Sequence, residues 1–184
     1  YVDALFNKSD SVELTANDYK FAGITFNALK DYDSAINYYN KQLESATDPD
    51  LKANVIKDLS DAYKSKGDFA KSLELYEEYL KMNPKVGIND YNGLANIYRN
   101  QAANLTGAAK TEAVNKAVAV YNQMAEKYPS NADFCNFMAA RTLGIADPTQ
   151  AKGLARPYYE KLIKIIEEKG VKNDADKARI TEAY

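Results

Sequence analysis

The side chains best suited to catalysis are scarce in this sequence, which contains Cys135 as its one cysteine and no histidine. Without histidine, the chain cannot form a Ser-His-Asp triad, a Cys-His pair or an HExxH zinc site. A single cysteine excludes an internal disulfide and a four-thiolate zinc site. The phosphate-binding patterns GxxxxGK and GxGxxG are also absent from the sequence. We therefore predict a protein that is not an enzyme and that uses no metal or cofactor.

Paired carboxylates are the remaining candidates for acid-base or metal chemistry. Glu77 and Glu78, and likewise Glu167 and Glu168, are neighbours in helical segments, so their side chains point in different directions. Two acids lie near a turn in the segment TDPD at 47–50, but the other ligands of an EF-hand calcium loop are missing. We interpret these acids as solvated helix faces and turn residues.

Charge and hydropathy exclude further classes of protein. The 24 basic and 26 acidic residues give a net charge of −2 and are interspersed along the chain, whereas a nucleic-acid surface needs clustered Lys and Arg. No apolar run reaches the roughly 18 residues that a membrane span requires. The chain opens with Tyr1 and lacks the basic-then-apolar start of a secretory signal. This opening indicates a processed protein or an excised fragment.

Apolar and small residues recur at helical spacing in four copies along the chain. In the second copy, Ile56, Leu59 and Tyr63 lie on one face of a helix. After a turn at Gly67, a second helix is expected to pack its own stripe on this face. That stripe is Leu73, Tyr76 and Leu80. The other copies repeat the pattern of both helices, with Tyr19, Ala22, Gly23, Phe26, Tyr32, Ala35, Tyr39 and Leu43 in the first copy, Tyr91, Leu94, Ala95, Tyr98, Ala117, Tyr121 and Met124 in the third, and Phe134, Phe137, Met138, Ala155, Tyr159 and Leu162 in the fourth.

These residues and their spacing resemble the tetratricopeptide repeat (TPR) family, as a fragment of a bacterial-type array. The family's 34-residue unit carries an aromatic, a Leu-Gly pair and a Tyr on its first helix, then Ala, an aromatic, Ala and Pro. Residues 53–86 match best, although Ser60, Ser72 and Tyr79 stand at positions where the family packs small residues. The resemblance implies an all-α fold, a right-handed superhelix (solenoid) of antiparallel helical hairpins.

The resemblance covers nearly the whole chain and divides it into the parts of a single solenoid segment. The predicted repeats are 16–49, 53–86, 88–131 and 132–169. Residues 1–8 are interpreted as the end of a preceding repeat, and residues 174–184 as the first helix of a further one. We therefore expect a piece of a longer array.

Two connections depart from the family pattern. Roughly ten extra residues lie between the helices of the third repeat, and their Ala-rich composition favours lengthened helices around a turn near Asn104 to Gly107. This insertion, residues 99–116, is predicted to project as a helical hairpin and is either a contact surface or tolerated extra length. In the fourth repeat, Asp147 and Pro148 indicate a helix start. Pro157 then either starts the main helix or kinks it.

In the resembling family, first helices line a concave groove that holds peptides or a partner's helix. Amide and cationic side chains in such a groove can satisfy the backbone groups of an extended chain and attract a carboxylate. The alternative is a set of solvated faces in which Lys57 and Asp61 pair at i, i+4. The positions that would line the groove are Lys20, Ile24 and Asn27, then Lys57, Asp61 and Lys64, then Asn92, Asn96 and Arg99.

The leading prediction is a non-enzymatic scaffold that binds a protein or peptide through this groove. The alternative is a structural spacer or regulatory arm for another domain of a longer parent protein. A third hypothesis, a glycan or small-molecule receptor, requires exposed aromatic residues in the groove, and the groove positions contain none. Most of the fifteen tyrosines occupy repeat positions and are expected in the core, with Tyr38 and Tyr158 as exceptions.

Overall fold

The computed structural model describes residues 14–171 and 173–183, and this part of the chain is helical, without β-strands. Its elements are α1 (Ala16–Ala28), α2 (Tyr32–Ser45), α3 (Pro49–Lys66), α4 (Phe69–Met82), α5 (Ile88–Ala103), α6 (Gly107–Lys127), a 3-10 helix (Pro129–Asn131), α7 (Ala132–Ala146), α8 (Arg156–Lys169) and α9 (Asp174–Ala183). Contacts divide the chain into an N-terminal unit, residues 1–85, and a C-terminal unit, residues 86–184. The predicted all-α fold is confirmed for the described residues.

Side-chain caps define where α1, α2 and α4 of the N-terminal unit begin. Thr15 and Asp18 form a reciprocal capping box at the start of α1. Asp31 and Asp68 take the same place before α2 and α4, where each carboxylate accepts a hydrogen bond from the backbone N–H three residues later. Each such cap contributes about 1 kcal/mol to helix stability. Gly67 ends α3 with a φ of 91°, a left-handed conformation that glycine adopts without a steric penalty.

In the N-terminal unit, α1 pairs with α2, α3 pairs with α4, and α2 also packs on α3. Ile56 and Leu59 of α3 are buried as predicted, whereas Tyr63 is half-buried. The predicted stripe of α4 was partly wrong, because Leu73 and Leu80 are only half-buried. The buried residues of α4 are Ser72, Leu75, Tyr76 and Tyr79. The hydroxyl group of Ser60 donates a hydrogen bond to the carbonyl oxygen of Ser72, which holds α3 against α4.

The contact between α1 and α2 depends on the absence of a side chain at Gly23. A Cβ atom placed there would lie 2.5 Å from Cε1 of Tyr39, much closer than van der Waals contact allows. Both residues are buried, so the aromatic ring occupies the space that a larger residue would need. This contact explains why a glycine, and no larger residue, fits at this position of α1.

The C-terminal unit contains α5 to α9, each packed on the next helix along the chain. Its core includes Ala95, Val114, Tyr121 and Met124 from α5 and α6. The predicted stripe of α7, which is Phe134, Phe137 and Met138, is only half-buried, although Phe134 and Met138 pack against this core. The fully buried side chains of α7 are instead Cys135, Ala139, Ala140 and Thr142. Small residues let α7 approach α6 closely, so they mark the contact better than the aromatic residues do.

The half-buried aromatic residues of α7, Phe134 and Phe137, also contact α9. The guanidinium carbon of Arg179, in α9, lies 5.8 Å from the ring centroids of both Phe134 and Phe137. A cation over aromatic faces is attracted by their quadrupoles. Both residues of α7 therefore contact α9, and Phe134 also packs against the core that α6 and α7 form.

The insertion of the third repeat is helical, with a turn at residues 104–106 between α5 and α6. This agrees with the predicted position of the turn. The added turns are packed, because Ala102 of α5 and Ala113 of α6 are buried and Leu105 packs against the same core. α6 is consequently 21 residues long, compared with 14 for α4.

The connection between α7 and α8 differs from one of the expectations. Asp147 follows the end of α7 and does not begin a helix; the prediction that Asp147 and Pro148 start one was wrong. The Asp147 carboxylate instead accepts hydrogen bonds from the backbone N–H groups of Lys152, at 3.0 Å, and Leu154, at 3.5 Å. Pro157 lies in the first turn of α8, where its missing N–H costs nothing. The helix therefore starts at Arg156, one residue before this proline, and is not kinked by it.

The structure describes the two ends of the chain only in part. The helix predicted for residues 1–8 lies outside the described residues. α9 begins at Asp174 as expected, and Tyr184 is also outside the described part of the chain. Among the helices that the structure describes, none is both long and apolar enough to cross a membrane.

Candidate functional site

Five of the predicted binding residues lie in the N-terminal unit, on α1 and α3. Lys20 is exposed, and its charge acts on Asp58 of α3. Burial raises the pKa of Asp58 and Asp61 raises it further, while the charges of Lys20 and Lys57 oppose this shift. Sequence reasoning missed Asp58, because its position on α3 lies beside the predicted stripe. We call the surface formed by Lys20, Asn27, Lys57, Asp58, Asp61 and Lys64 the N-terminal face.

The ionic pairing on this face differs from the alternative interpretation of the sequence. Asp61 forms an ion pair with Lys64, three residues later, rather than with Lys57. The Lys57 ammonium instead lies 5.8 Å from the ring centroid of Tyr79 on α4. Burial, together with the charges of Asp58 and Asp61, raises the pKa of Tyr39 to about 12. The N-terminal face therefore combines cationic and anionic groups, and its two carboxylates lie near the hydroxyl group of the buried Tyr39.

Asn27 is half-buried on α1, and its Oδ1 atom is completely buried with no hydrogen-bond partner among the described residues. Ile24, one turn earlier, is 45% exposed, and Phe21 is also exposed. Apolar surface on this helix thus lies next to an amide whose oxygen lacks a donor.

The other three predicted residues lie in the C-terminal unit, along α5. Asn92 accepts a hydrogen bond from the Tyr121 hydroxyl at 3.3 Å. One terminal nitrogen of Arg99 donates to Asn96 Oδ1 at 3.2 Å. Burial raises the pKa of Tyr121, and the Arg99 charge opposes this shift. We call Asn92, Asn96, Arg99 and Tyr121 the C-terminal face. Sequence reasoning assigned Tyr121 to the core, which is correct for its ring, and did not anticipate that its hydroxyl reaches α5.

Arg99 carries the second stranded polar atom of the candidate site. Its Nε is completely buried and has no hydrogen-bond partner in the described part of the chain. Leaving a buried donor or acceptor unsatisfied costs about 1–3 kcal/mol. Only three buried side-chain atoms of the described residues are in this state, and the third belongs to Gln42. Two of the three therefore fall on residues that the sequence predicted to bind a partner.

The described residues contain no group of three or more carboxylate or thiol side chains able to hold a metal ion. Burial raises the pKa of Cys135 to about 11, with Asp133 contributing, so this thiol is protonated at neutral pH and is not activated as a nucleophile. Of the TDPD acids, Asp48 accepts a hydrogen bond from the Asp50 N–H at the start of α3.

Comparison with known proteins supports the resemblance to the tetratricopeptide repeat family. Residues 14–85 match the model of the tetratricopeptide repeat family. The fold is similar to the C-terminal part of a TPR repeat-containing protein from Cytophaga hutchinsonii, with a TM-score of 0.66 and 21% identity over 99% of this chain and 64% of that one. It is also similar to a thermophilic TPR protein from Thermus thermophilus, with a TM-score of 0.53 and 16% identity over 92% of this chain and 90% of that one. No curated protein matches the sequence.

Proposed function

Taking residues 14–85 as a tetratricopeptide repeat region, we propose that the chain is a non-enzymatic scaffold that binds a partner protein or peptide. The proposed binding surfaces are on α1 and α3 in the N-terminal unit and on α5 in the C-terminal unit. Repeats of this family generally mediate protein–protein interaction. The proposed repeats are 16–49, 53–86, 88–131 and 132–169, with a further first helix from residue 174. The proposed contact residues are Lys20, Asn27, Lys57, Asp61, Lys64, Asn92, Asn96 and Arg99.

The observation that supports this proposal most strongly is the pair of stranded polar atoms. Asn27 Oδ1 lacks a donor and Arg99 Nε lacks an acceptor. An extended polypeptide carries both, because each residue other than proline offers one N–H and one C=O. A small rotation of either side chain toward a bound backbone would satisfy its stranded atom and remove the cost of about 1–3 kcal/mol. Binding would therefore relieve an existing penalty at both faces.

The charges of the N-terminal face indicate how partners would be selected. Lys64 is neutralised by Asp61, and Lys57 rests on the ring of Tyr79. Lys20 is exposed and has room to reach an acidic group of a partner. Exposed charges of this kind increase the association rate more than the final affinity, so binding should weaken as salt rises.

Affinity capture with a matched pair of baits tests the proposal. The first variant, Lys57→Ala with Asn96→Ala and Arg99→Ala, removes two cations and one amide from the proposed faces. The control variant, Lys81→Ala with Asn115→Ala and Lys164→Ala, removes the same groups from α4, α6 and α8, where all three are exposed. Circular dichroism and thermal unfolding would establish that both variants remain folded.

We expect a partner that is captured by the wild-type and control baits and is lost, by about tenfold or more, from the first variant. Loss from the control variant alone would place binding on the second helices and overturn the proposal. Equal capture by all three baits would also overturn it. A folded chain that retains no specific partner would favour the spacer or regulatory-arm hypothesis.

A further inference from the structure

A cavity of about 620 Å³ lies in the C-terminal unit, beside the connection between α7 and α8. Its walls are the end of α7, residues 150–155 of the connection, the first half of α8 and the end of α9. A cavity of this size is within the range that holds ligands and partner side chains. It shares no lining residue with the C-terminal face on α5 and α6.

The wall formed by the connection is held in one conformation. The buried Asp147 carboxylate accepts the backbone N–H groups of Lys152 and Leu154. Gln150 and Gly153 have φ angles of 56° and 62°, and Gly153 N–H donates to the Gln150 carbonyl at 3.1 Å. Because its hydrogen bonds are internal, this wall exists before any partner arrives and its ordering adds little to the cost of binding.

The lining of the cavity has an apolar part, called here its floor, and a more exposed charged part, called its mouth. Leu154, Ala155, Ile163 and Ala183 supply apolar surface, and Leu154 is exposed at 38% of its surface. Glu160 and Glu182 lie among the remaining lining residues, with side chains 59% and 42% exposed. An aliphatic group would therefore be covered by the floor while a polar group stays near the carboxylates.

The carboxylates of Glu160 and Glu182, at the mouth, form only exposed ion pairs within the chain. Glu160 pairs with the exposed Arg156 at 2.8 Å, within one helix. Glu182 lies 3.4 Å from Arg141 and accepts a hydrogen bond from the Tyr159 hydroxyl at 3.2 Å. Exposed ion pairs contribute about 0–1 kcal/mol, so an incoming cation can replace them at little cost. Three carboxylates and one guanidinium line the cavity, and Arg141 lies against one of these carboxylates. The remaining excess of one negative charge favours a cationic group.

We infer that this cavity is a second partner-binding site, and that it takes an aliphatic side chain next to a lysine or arginine in a polypeptide. The aliphatic side chain lies against Leu154 and Ile163, and the cation lies between Glu160 and Glu182. This site is independent of the proposed function of α1, α3 and α5, because the two share no residue.

The experiment is a titration of the ¹⁵N-labelled chain, followed by two-dimensional NMR, with three acetylated and amidated heptapeptides at millimolar concentration. The first probe carries Leu-Lys-Arg between Gly and Ser residues, the second carries Leu-Glu-Glu, and the third carries Ser-Lys-Arg. The first probe is expected to shift the amide signals of Gly144, Gly153 and Leu154, and the other two to shift them little.

Two pairs of variants locate the contact. Glu160→Gln with Glu182→Gln is expected to weaken the first probe about tenfold, because it removes two exposed charge contacts. Glu167→Gln with Glu168→Gln removes the same charge from an exposed part of α8 outside the cavity and is expected to leave binding unchanged. Leu154→Ser is expected to weaken the first probe without affecting the fold, since this side chain is exposed.

Three results would overturn the inference. They are the absence of shifts around the cavity, equal shifts with the Leu-Glu-Glu probe, and equal weakening by both charge variants. Shifts confined to Asn92, Asn96 and Arg99 would also overturn it while supporting the groove, so the two proposals fail separately.

Discussion

Ser60 Oγ donates a hydrogen bond to the carbonyl oxygen of Ser72 at 2.7 Å, and the two hydroxyls lie 3.1 Å apart. Both side chains are completely buried between α3 and α4. The resembling family packs small residues at these two positions. Here the helices are held by a polar contact whose groups satisfy each other, so the departure from the repeat pattern has a structural explanation.

Removal of this hydrogen bond should destabilise the N-terminal unit. Ser60→Ala takes away the donor and leaves the buried Ser72 hydroxyl without this partner, so we expect a loss of about 1 kcal/mol in the free energy of unfolding. Urea unfolding measures it. Ser65→Ala is the control, because that exposed hydroxyl bonds only within its own helix. Equal effects of the two substitutions would contradict the assigned role of Ser60.

A methyl group at Gly23 should separate α1 from α2. Gly23→Ala places Cβ 2.5 Å from Cε1 of Tyr39, and overpacking of this kind costs about 1–3 kcal/mol. Gly144→Ala, in α7, is the matched control, since nothing lies within 4 Å of the added Cβ. That change should stabilise the chain by up to about 1 kcal/mol. Thermal unfolding of both variants distinguishes the two effects, and destabilisation by Gly144→Ala alone would be inconsistent with the structure.

The ion pairs of Asp133 should make the packing of α9 depend on pH. Lys169 Nζ and an Arg179 terminal nitrogen lie 2.8 and 2.6 Å from Asp133 Oδ2. Burial raises the pKa of Asp133, but hydrogen bonds and the two cations outweigh it, so the pKa lies below its ordinary value. The folded state therefore favours the carboxylate. Its contribution is present above the unfolded-state pKa and is lost as the pH falls through the folded-state value.

Asp133→Asn should consequently destabilise the chain by about 1–3 kcal/mol at pH 7, because it removes the carboxylate partner of Arg179 and one of two carboxylate partners of Lys169. Lys169 keeps its pair with Asp176 at 3.2 Å. The difference from wild type should shrink as the pH is lowered below about 4. Asp174→Asn serves as the control, because that side chain is almost fully exposed. Chemical unfolding at several pH values measures both, and a difference that persists unchanged in acid would refute the electrostatic account.

The thiol of Cys135 should resist modification while the chain is folded. Its pKa of about 11 leaves it protonated at pH 8, and it is buried, whereas the thiolate is the reactive form. Ellman's reagent should react at the rate of unfolding or local opening, and at full rate in denaturant. Rapid reaction under native conditions would show that α7 does not hold this residue in the core.

Periodicity in the sequence was sufficient to predict the all-helical hairpin fold, because a stripe such as Ile56 and Leu59 can be buried only by a neighbouring helix. The position of the turn after Asn104 followed from composition. Side-chain facing was less predictable where several apolar residues are adjacent. In α7, the pattern favoured Phe134, which packs against the core but stays half-buried, whereas Cys135 beside it is fully buried.

The placement of the candidate residues on α1, α3 and α5 was predictable from helical spacing, and their binding of a partner stays a prediction. The side-chain contacts within the candidate site were not predictable. The i, i+4 rule paired Lys57 with Asp61, whereas Asp61 pairs with Lys64 and Lys57 reaches Tyr79. The choice among partners depends on side-chain positions on α4, which sequence spacing along α3 does not contain.

Site-specific photocrosslinking tests the central claim, that the first helices bind a partner polypeptide, most directly. A benzophenone amino acid placed at Ile24 on α1, or at Asn96 on α5, should form an adduct with the partner, whereas the same group at the exposed Glu78 of α4 should not. The adduct should decrease as salt is raised. Adducts from Glu78 alone, or from all three positions equally, would contradict a binding site on the first helices.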